Sequence, residues 1–359
     1  MCATAASRKA TTLRDVARRA GVSTATVSRA LRSAVGTDPA TRRRVQEAAR
    51  ALHYRPSGVA RSLKLRSTTT IGLIVTDIEN PYFPQVIRAV EDAARDRGYS
   101  VVLTDGRRDP EREIRSLEVL AQRGVDGLII ASSALTERHR HWIEERPCPV
   151  VIVNGESPVE SVPAVLAHNE AGGRLAAEHL LDLGHRHIGY VAAPASDNVA
   201  VSKRLGGAYL ALADRGLAAD DLHVVVGDGR VGGGEEAGKN ALQRWPGITA
   251  LICYNDLTAV GATRGLRSLG LSVPHDVSVV GFDDIDLAPY VDPALTTIRQ
   301  NTDEMGHWAV EALVNAMEAS SGEAASSAAG TTPSVRRIPV RLIVRESTAA
   351  SPGGSEEHR

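Results

Sequence analysis

The sequence predicts an N-terminal all-α helix-turn-helix head with a hinge helix, followed by an α/β body of two lobes with parallel sheets. Three observations carry that prediction. Residues 12–52 read as three short helices with apolar positions at helical spacing. From Ile71 onward, short apolar runs alternate with helical segments, and the alternation goes round twice. Charge is partitioned as well: residues 1–66 hold 15 Lys and Arg against 3 Asp and Glu, a surplus of +12. The whole chain is −1, so residues 67–359 carry −13. A basic head on an acidic body points to a polyanion partner for the head alone, with salt-dependent binding.

The head builds in order. Thr12 with Asp15 three residues on is a capping-box start, and Leu13, Val16, Ala17 and Ala20 line the inner face of the first helix. Gly21 and Val22 make the turn. In "GVSTATVSRAL" (21–31), Ser23 is placed to cap the second helix. Thr24, Ala25, Ser28, Arg29 and Arg32 fall along one side, with Thr26, Val27, Ala30 and Leu31 opposite. Asp38 caps the third helix, Pro39 opens it, and Val45, Ala48, Ala49 and Leu52 form its apolar stripe. The outward face of the second helix is small, hydroxylated and tipped with Arg29. A DNA major groove accepts such a helix: arginine suits guanine O6/N7, and Thr or Ala methyls suit thymine. The plain alternative is a solvated face of a small bundle; turn, caps and charge together favour the groove.

After Tyr54, "RPSGVARSLKLRSTTT" begins with a helix-stopping Pro56 and a capping Ser57. Val59, Ala60 and Leu63 then share one side, with Arg61, Lys64 and Arg66 elsewhere. A helix of about two turns is marginal in water, and Gly58 weakens it. The segment is therefore either a basic tether or a hinge helix that orders on a dimer mate in the minor groove, with Leu63 wedged between base pairs.

The first round of the body is "IGLIVTD", a helix over 81–97, "YSVVLTDG", a helix near 110–123, "VDGLIIASS", a helix near 137–145 and "CPVVIVNG". The second is a helix over 169–184, "HIGYVAA", a helix over 200–215, "LHVVVGD", a helix over 234–244, "TALICYND", a helix over 255–269 and "VSVVGFDD". A ligand cleft belongs at the carboxyl ends of the strands. The chain returns through "PALTTIRQ", a helix near 301–318 and "RRIPVRLIVRES". The stretch "ASSGEAASSAAGTTPS" between these last two reads as a mobile loop, and 347–359 as a disordered tail. Without a leucine heptad, a tail-made tetramer is not expected.

Cys2, Cys148 and Cys253 are odd in number and widely spaced, as for reduced thiols in a cytoplasm, the last two buried. The pairs His139/His141 and His185/His187 lack further ligand spacing and read as surface histidines. No apolar stretch is long enough for a membrane span or secretory signal, so the expected location is cytoplasmic, on the nucleoid when DNA-bound. There is no P-loop and no GxSxG elbow, and "GGRLAAEH" is not a dinucleotide fingerprint. An enzyme, a cofactor and a metal are not expected.

The motifs "TLRDVARRAGVSTATVSRAL", "RPSGVARSL", "DIENPYF", "HLLDLGHRHIGYV", "YNDLTAVGATRGLRSLG", "DVSVVGFDD", "LTTIRQ" and "VRES" resemble, in order and spacing, those of the LacI (lactose repressor) family of transcriptional regulators. The resemblance runs over nearly the full length. It implies a homodimer reading a pseudo-palindromic operator and a periplasmic-binding-protein-like body that senses a small molecule, often a sugar. The implied DNA contacts are Ser23, Thr24, Ala25, Ser28 and Arg29 in the head, with Arg61, Leu63 and Lys64 in the linker. The implied effector contacts are Tyr82 and Phe83 in the first lobe and Arg204, Asn255 and Asp283 in the second. Tyr82 and Phe83 can equally be core, Asn255 a helix cap, and Asp283 a structural group at a strand end.

The implied organisation is a disordered 1–11, a DNA-binding domain over 12–56, a hinge over 57–66 and an effector-binding, dimerising domain over 67–346. The first lobe takes about 67–167 and 300–329, the second about 168–299 and 330–346. Two departures stand out: Gly229 where many relatives carry an aromatic, and Ala200 where many carry Thr or Ser. A charged Arg230 beside Gly229 raises the idea of an acidic or phosphorylated effector. The function implied is a repressor of carbohydrate or related catabolic genes, whose effector acts by changing the separation of the hinge helices. Induction and corepression both remain open, and a solute-binding protein without DNA regulation is the alternative.

Overall fold

The computed structural model describes residues 11–31, 37–54, 67–132, 135–194, 199–321 and 335–352. The chain divides after Thr68 into a head and a body. Arg61, Leu63 and Lys64 of the expected hinge, like Arg32 and Cys2, lie outside the described residues.

In the head, α1 (Leu13–Ala20) starts with a reciprocal capping box. The Thr12 N–H donates to Asp15 Oδ2 at 2.9 Å and the Asp15 N–H to Thr12 Oγ1 at 3.3 Å. Gly21 ends the helix at φ +66°, a left-handed conformation that suits glycine. The next helix, α2 (Thr24–Leu31), is capped by Ser23 Oγ, which accepts from the Thr26 N–H at 3.1 Å. Asp38 caps α3 (Pro39–Ala51) by accepting from the Thr41 N–H at 2.9 Å. Val16, Val27 and Val45 are fully buried where the three helices meet, ringed by alanines and by half-buried Leu13, Leu31, Leu52 and Tyr54. So lean a core depends on each valine, worth ~1.5–3 kcal/mol when fully buried.

The body holds two six-stranded sheets. The first contains β1 (Thr70–Val75), β2 (Ser100–Asp105), β3 (Gly127–Ala131), β4 (Val150–Val153), β5 (Ala164–Ala167) and β11 (Val335–Ile338). Its order is β11-β5-β4-β3-β1-β2, parallel throughout. The second contains β6 (Ile188–Ala192), β7 (Leu222–Val226), β8 (Ala250–Cys253), β9 (Ser278–Asp283), β10 (Thr296–Arg299) and β12 (Arg341–Ile343), in the order β12-β10-β9-β8-β6-β7. Only β12 runs antiparallel to its neighbour. Helices α4 (Tyr82–Asp96), α5 (Pro110–Gln122), α6 (Glu137–Glu144) and α11 (Thr302–Ser321) belong to the first lobe. The second lobe has α7 (Asn169–Asp182), α8 (Val199–Asp214), α9 (Val231–Arg244) and α10 (Asp256–Ser268). Among the described residues the chain passes between lobes three times: after β5, after β10 and after β11. The strands are apolar on both faces because helices cover both, as in "GLIIA" and "VVIV", where every residue is buried.

The structure corrects the sequence reading in several places. β5 is an unexpected strand, because a loop rather than a helix joins it to β4 and the alternation breaks there. "RRIPVRLIVRES" divides at Pro339, so β11 pairs with β5 in the first lobe instead of belonging with 330–346 to the second. Residues 347–351, expected in a disordered tail, are bound to the second lobe. Ser347 Oγ donates to the Val279 carbonyl at 2.6 Å and accepts from the Thr296 N–H at 2.8 Å, and the Ser351 N–H reaches the Leu183 carbonyl at 2.9 Å. Local composition favoured disorder; these hydrogen bonds in a buried setting outweigh it. α9 starts at Val231, taking three glycines into the helix where it packs on α10. His139 and His185 are fully buried, not surface groups. His185 Nδ1 lies 2.8 Å from Thr249 Oγ1 and Nε2 3.0 Å from the Ala349 carbonyl, so the bound tail covers it.

The packing of α7 on α8 requires glycine. A Cβ at Gly207 would stand 2.0 Å from the Glu170 carbonyl oxygen, and one at Gly173 1.9 Å from that of Arg204. Gly206, one residue away, faces open space. Gly207→Ala is expected to lower the unfolding free energy by about 1–3 kcal/mol through overpacking. Gly206→Ala should raise it by up to ~1 kcal/mol. Urea denaturation of the pair checks this; equal effects would refute the close-packing account.

Candidate functional site

On the head, Thr24, Ala25 and Arg29 are exposed and Ser28 is half-buried along one side of α2. The side chains other than Arg29 are short, so the helix can approach another surface closely. Among the described residues Arg29 makes no ion pair, which leaves its planar fork of donors available. Ser23 is exposed too, but its hydroxyl is committed to the cap and lies 2.9 Å from Thr26 Oγ1. Its first task is to fix where α2 begins.

In the body, a cleft of about 300 Å³ opens between the two lobes. The residues lining it follow directly on strand ends: Thr76 after β1, Asn154 after β4, Tyr254 and Asn255 after β8, Gln300 after β10. All five effector contacts implied by the sequence, Tyr82, Phe83, Arg204, Asn255 and Asp283, line this cleft.

Arg204 dominates the second-lobe wall. It is 4% exposed, and two of its nitrogens are engaged: Nε donates to Asn169 Oδ1 at 2.8 Å and Nη1 to the Tyr254 carbonyl at 2.7 Å. Nη1 is also 3.8 Å from Asp283 Oδ1, and the guanidinium carbon lies 3.5 Å from the centre of the Phe282 ring. Asn255 caps α10, its Oδ1 accepting from the Thr258 N–H at 2.9 Å, while its Nδ2 donates to the Gly229 carbonyl at 3.0 Å. Cap and cleft residue coincide. Asp283 sits at φ +121°, a strained conformation for a side-chain-bearing residue, and accepts from Gln300 Nε2 at 2.7 Å. Burial pushes its carboxyl up to about 7 against the pull of Arg204, with the nearby Asp256 adding to the rise. Asp256, held by Thr297 Oγ1 and the Ile285 N–H, is pushed up to about 6, again by burial first.

On the first-lobe wall, Tyr82 and Phe83 meet edge to face with ring centres 5.3 Å apart. The Tyr82 hydroxyl donates to Asn154 Oδ1 at 3.2 Å, and burial raises its pKa, keeping it a neutral donor. The two rings are at once core and cleft wall.

A clasp joins the lobes beside the cleft. Asp77, with its side chain 4% exposed, receives Arg108 Nε at 2.9 Å from its own lobe and Arg230 Nη2 at 3.0 Å from the other. Arg108 Nη1 also donates across to the Asp228 carbonyl at 2.6 Å. Arg230 is thus drawn onto Asp77, which it shares with Arg108, and lies 3.7 Å from Glu79. Gly229 has φ +75°, which disfavours any side chain, and an ideal Cβ there would lie 3.5 Å from an Arg108 nitrogen. Ala200 is buried and does not line the cleft.

Among the described residues no three His, Cys, Asp or Glu side chains group as a metal site, and no helix is long and apolar enough to cross a membrane. Burial raises both described thiols, Cys148 to about 11, as for unreactive cysteines.

Comparison with known proteins fits both halves. "Bacterial regulatory proteins, lacI family" matches residues 12–57, and "Periplasmic binding proteins and sugar binding domain of LacI family" matches residues 68–346. The chain belongs to the LacI family. The ribose operon repressor of Escherichia coli K12 is 36% identical over 305 residues, covering 85% of this chain and 92% of that protein. A lac repressor dimer solved with operator and the anti-inducer ONPF aligns with a TM-score of 0.81 at 30% identity, covering 95% of this chain and 100% of that one. A LacI-family regulator from Enterococcus faecium with bound ribose aligns at 0.68 and 32% identity, covering 78% of this chain and 99% of that one.

Within this LacI-family body, sequence reasoning missed Asn154, Asn169, Gln300, Arg108 and Glu113. Two of them, Asn154 and Gln300, directly follow a strand, as in "VVIVNG" and "TTIRQ", a position that could have marked them; Asn169 opens α7, Arg108 lies three residues past β2, and Glu113 lies inside α5 and gave no such signal.

Asp283 and Asp256 bind protons more tightly in the folded chain than the ~4 of a free carboxyl. Their contribution to stability is complete below about pH 4 and is lost as pH rises through the raised values, to about 7. Wild type should therefore lose unfolding free energy relative to Asp283→Asn as pH rises from 4.5 to 7, with the difference level above. A difference that grows in favour of wild type across that window in urea titrations would refute it.

Proposed function

We propose that this protein is a DNA-binding transcriptional repressor, acting as a homodimer on a pseudo-palindromic operator under control of a small, sugar-like effector bound in the body's cleft. The observation that carries this is the exposed face of α2, short-chained and tipped by an unpaired Arg29, on a head with a large excess of positive charge. Such a face fits the major groove, where Thr24, Ala25 and Arg29 would read base edges and the other head arginines would contact phosphates. The relatives named as ribose operon repressor and lac repressor, and the ribose-bound regulator, support both halves of the reading. A repressor of carbohydrate or related catabolic genes, working in the cytoplasm, fits this kinship.

The effector would act by favouring one arrangement of the lobes over another, which is sufficient for either induction or corepression. The linker over 57–66 would carry the change to the head by ordering, or failing to order, on DNA.

Selection of bound duplexes from a random pool, using the purified full-length chain with and without D-ribose, tests the reading. An enriched palindromic sequence whose retention responds to sugar supports it. Equal retention of random and selected duplexes at physiological ionic strength would leave a solute-binding protein instead. On the selected operator, Arg29→Ala should weaken binding by ~1–3 kcal/mol, the range for one bidentate base contact, and relax preference at one base pair of each half-site. Unchanged affinity and sequence preference in a mobility-shift titration would remove Arg29 from that role.

A further inference from the structure

The first-lobe wall of the cleft contains a buried carboxylate that, among the described residues, engages only one of its two oxygens with the protein. Glu113 lies in the first turn of α5, is 2% exposed, and lines the cleft opposite Asp283. Its Oε2 is 3.1 Å from Nε2 of His139, which is fully buried on α6. The ring's other nitrogen, Nδ1, is 3.2 Å from the Thr136 backbone nitrogen. A backbone N–H can only donate, so Nδ1 accepts and carries no proton. The ring proton is thus on Nε2, pointing at Glu113, and the carboxylate is oriented from behind by a donor itself fixed by the capping box of α6. Among the described residues, Glu113 Oε1 has no hydrogen-bond partner. The glutamate packs against Gly106, where a Cβ would stand 2.5 Å from its Cγ and 2.8 Å from Oε1, so a side chain there would crowd that oxygen.

We propose that Glu113, positioned by His139, is a ligand-binding carboxylate that makes the cleft select neutral hydroxylated ligands over anionic ones. The inference rests on reading the cleft as an effector site. The geometry supports it. Arg204 is already drawn onto Asn169, the Tyr254 carbonyl and Asp283, and Arg108 onto the Asp228 carbonyl and Asp77, which it shares with Arg230. Among the described residues Glu113 keeps one acceptor oxygen unengaged. A ligand hydroxyl can donate to that oxygen; a phosphate or carboxylate would be repelled by it. Glu113 is therefore the residue that selects against anionic ligands, and His139 is a positioning residue.

The test uses the full-length protein and isothermal calorimetry with D-ribose, D-glucose and D-cellobiose against D-ribose 5-phosphate and D-glucose 6-phosphate. At least one neutral sugar is expected to bind, with the phosphorylated ones weaker. For that sugar, Glu113→Gln, which turns an acceptor into an amide, should raise Kd by ~10- to 100-fold, the scale of a hydrogen bond to a charged group. Glu113→Asp, which withdraws the carboxylate but keeps its charge, should raise Kd while still rejecting the phosphates; Glu113→Gln should narrow the gap between neutral and phosphorylated ligands. His139→Gln should raise Kd less than Glu113→Gln does. Thermal melting of each ligand-free variant confirms that it is folded, and the aspartate variant keeps the test open if the glutamine variant is not. Wild-type affinity and discrimination in folded Glu113→Gln or, failing that, Glu113→Asp would overturn the proposal. So would a phosphorylated sugar as the tightest ligand, or no binding by any neutral sugar. Operator binding by the wild type without sugar is scored separately, so failure of the repressor reading is distinguishable from failure of the Glu113 assignment.

Discussion

The body is organised around one buried charge. Placing the Arg204 guanidinium at 4% exposure costs several kcal/mol in lost hydration unless its donors are met. Nε and Nη1 are met by a side-chain amide from the start of α7 and a backbone carbonyl after β8, with a carboxylate at the end of β9 3.8 Å from Nη1 and the Phe282 ring beneath. Those partners come from three separate elements, so Arg204 fixes their mutual positions. It reaches Asn169 only because α7 and α8 approach at backbone contact distance through Gly173 and Gly207. Asp283 in turn accepts a strained backbone and a raised pKa to remain there. Strain and desolvation gathered at one wall of a cleft are what a binding site looks like before its ligand arrives.

The lobes are joined by the chain itself and by a second set of polar groups, centred on the buried Asp77. Three crossovers allow the lobes to pivot, since a few residues at each can absorb the change in backbone angles. Against that freedom stand Asp77 between Arg108 and Arg230, and Gln85 donating to Asp286 Oδ1 at 3.2 Å on the opposite side. The arginines are half exposed, so water and salt weaken their hold on the buried Asp77, and the Gln85 hydrogen bond is a single exposed contact. They bias closure without locking it, which a sensor requires: an arrangement held too firmly would not respond to a ligand.

Much of this was legible in the residues. The caps Thr12, Ser23, Asp38 and Asn255 act locally, within three or four positions, and each side chain does what its spacing implies. The strands of the body, apolar on both faces, could be read for the same reason. The failures lie where the determining contact is distant. The tail at 347–351 is polar and small, but Ser347 meets β9 and the chain before β10, far away in sequence. His139 looks like one of a surface pair until α6 turns it onto Glu113. Arg230 looked available to a ligand until Asp77 was seen to hold it. Spacing reports which face a side chain occupies; it cannot report which distant partner is waiting there.

An effector alters affinity for DNA only by binding one state more tightly than the other. Shifting a two-state equilibrium from 1:99 to 99:1 takes ~5.5 kcal/mol of such difference. A hydrogen bond to a charged group is worth about 1.5–3 kcal/mol, so two or three contacts made in one arrangement and lost in the other are enough. The cleft offers that number from opposite walls: Arg204 and Asp283 on the second lobe, with Tyr82 and Asn154 on the first. A ligand touching a single wall would bind both arrangements alike and shift nothing. The control this family fold can exert thus follows from its three crossovers, which place polar groups of separate lobes within reach of one small molecule.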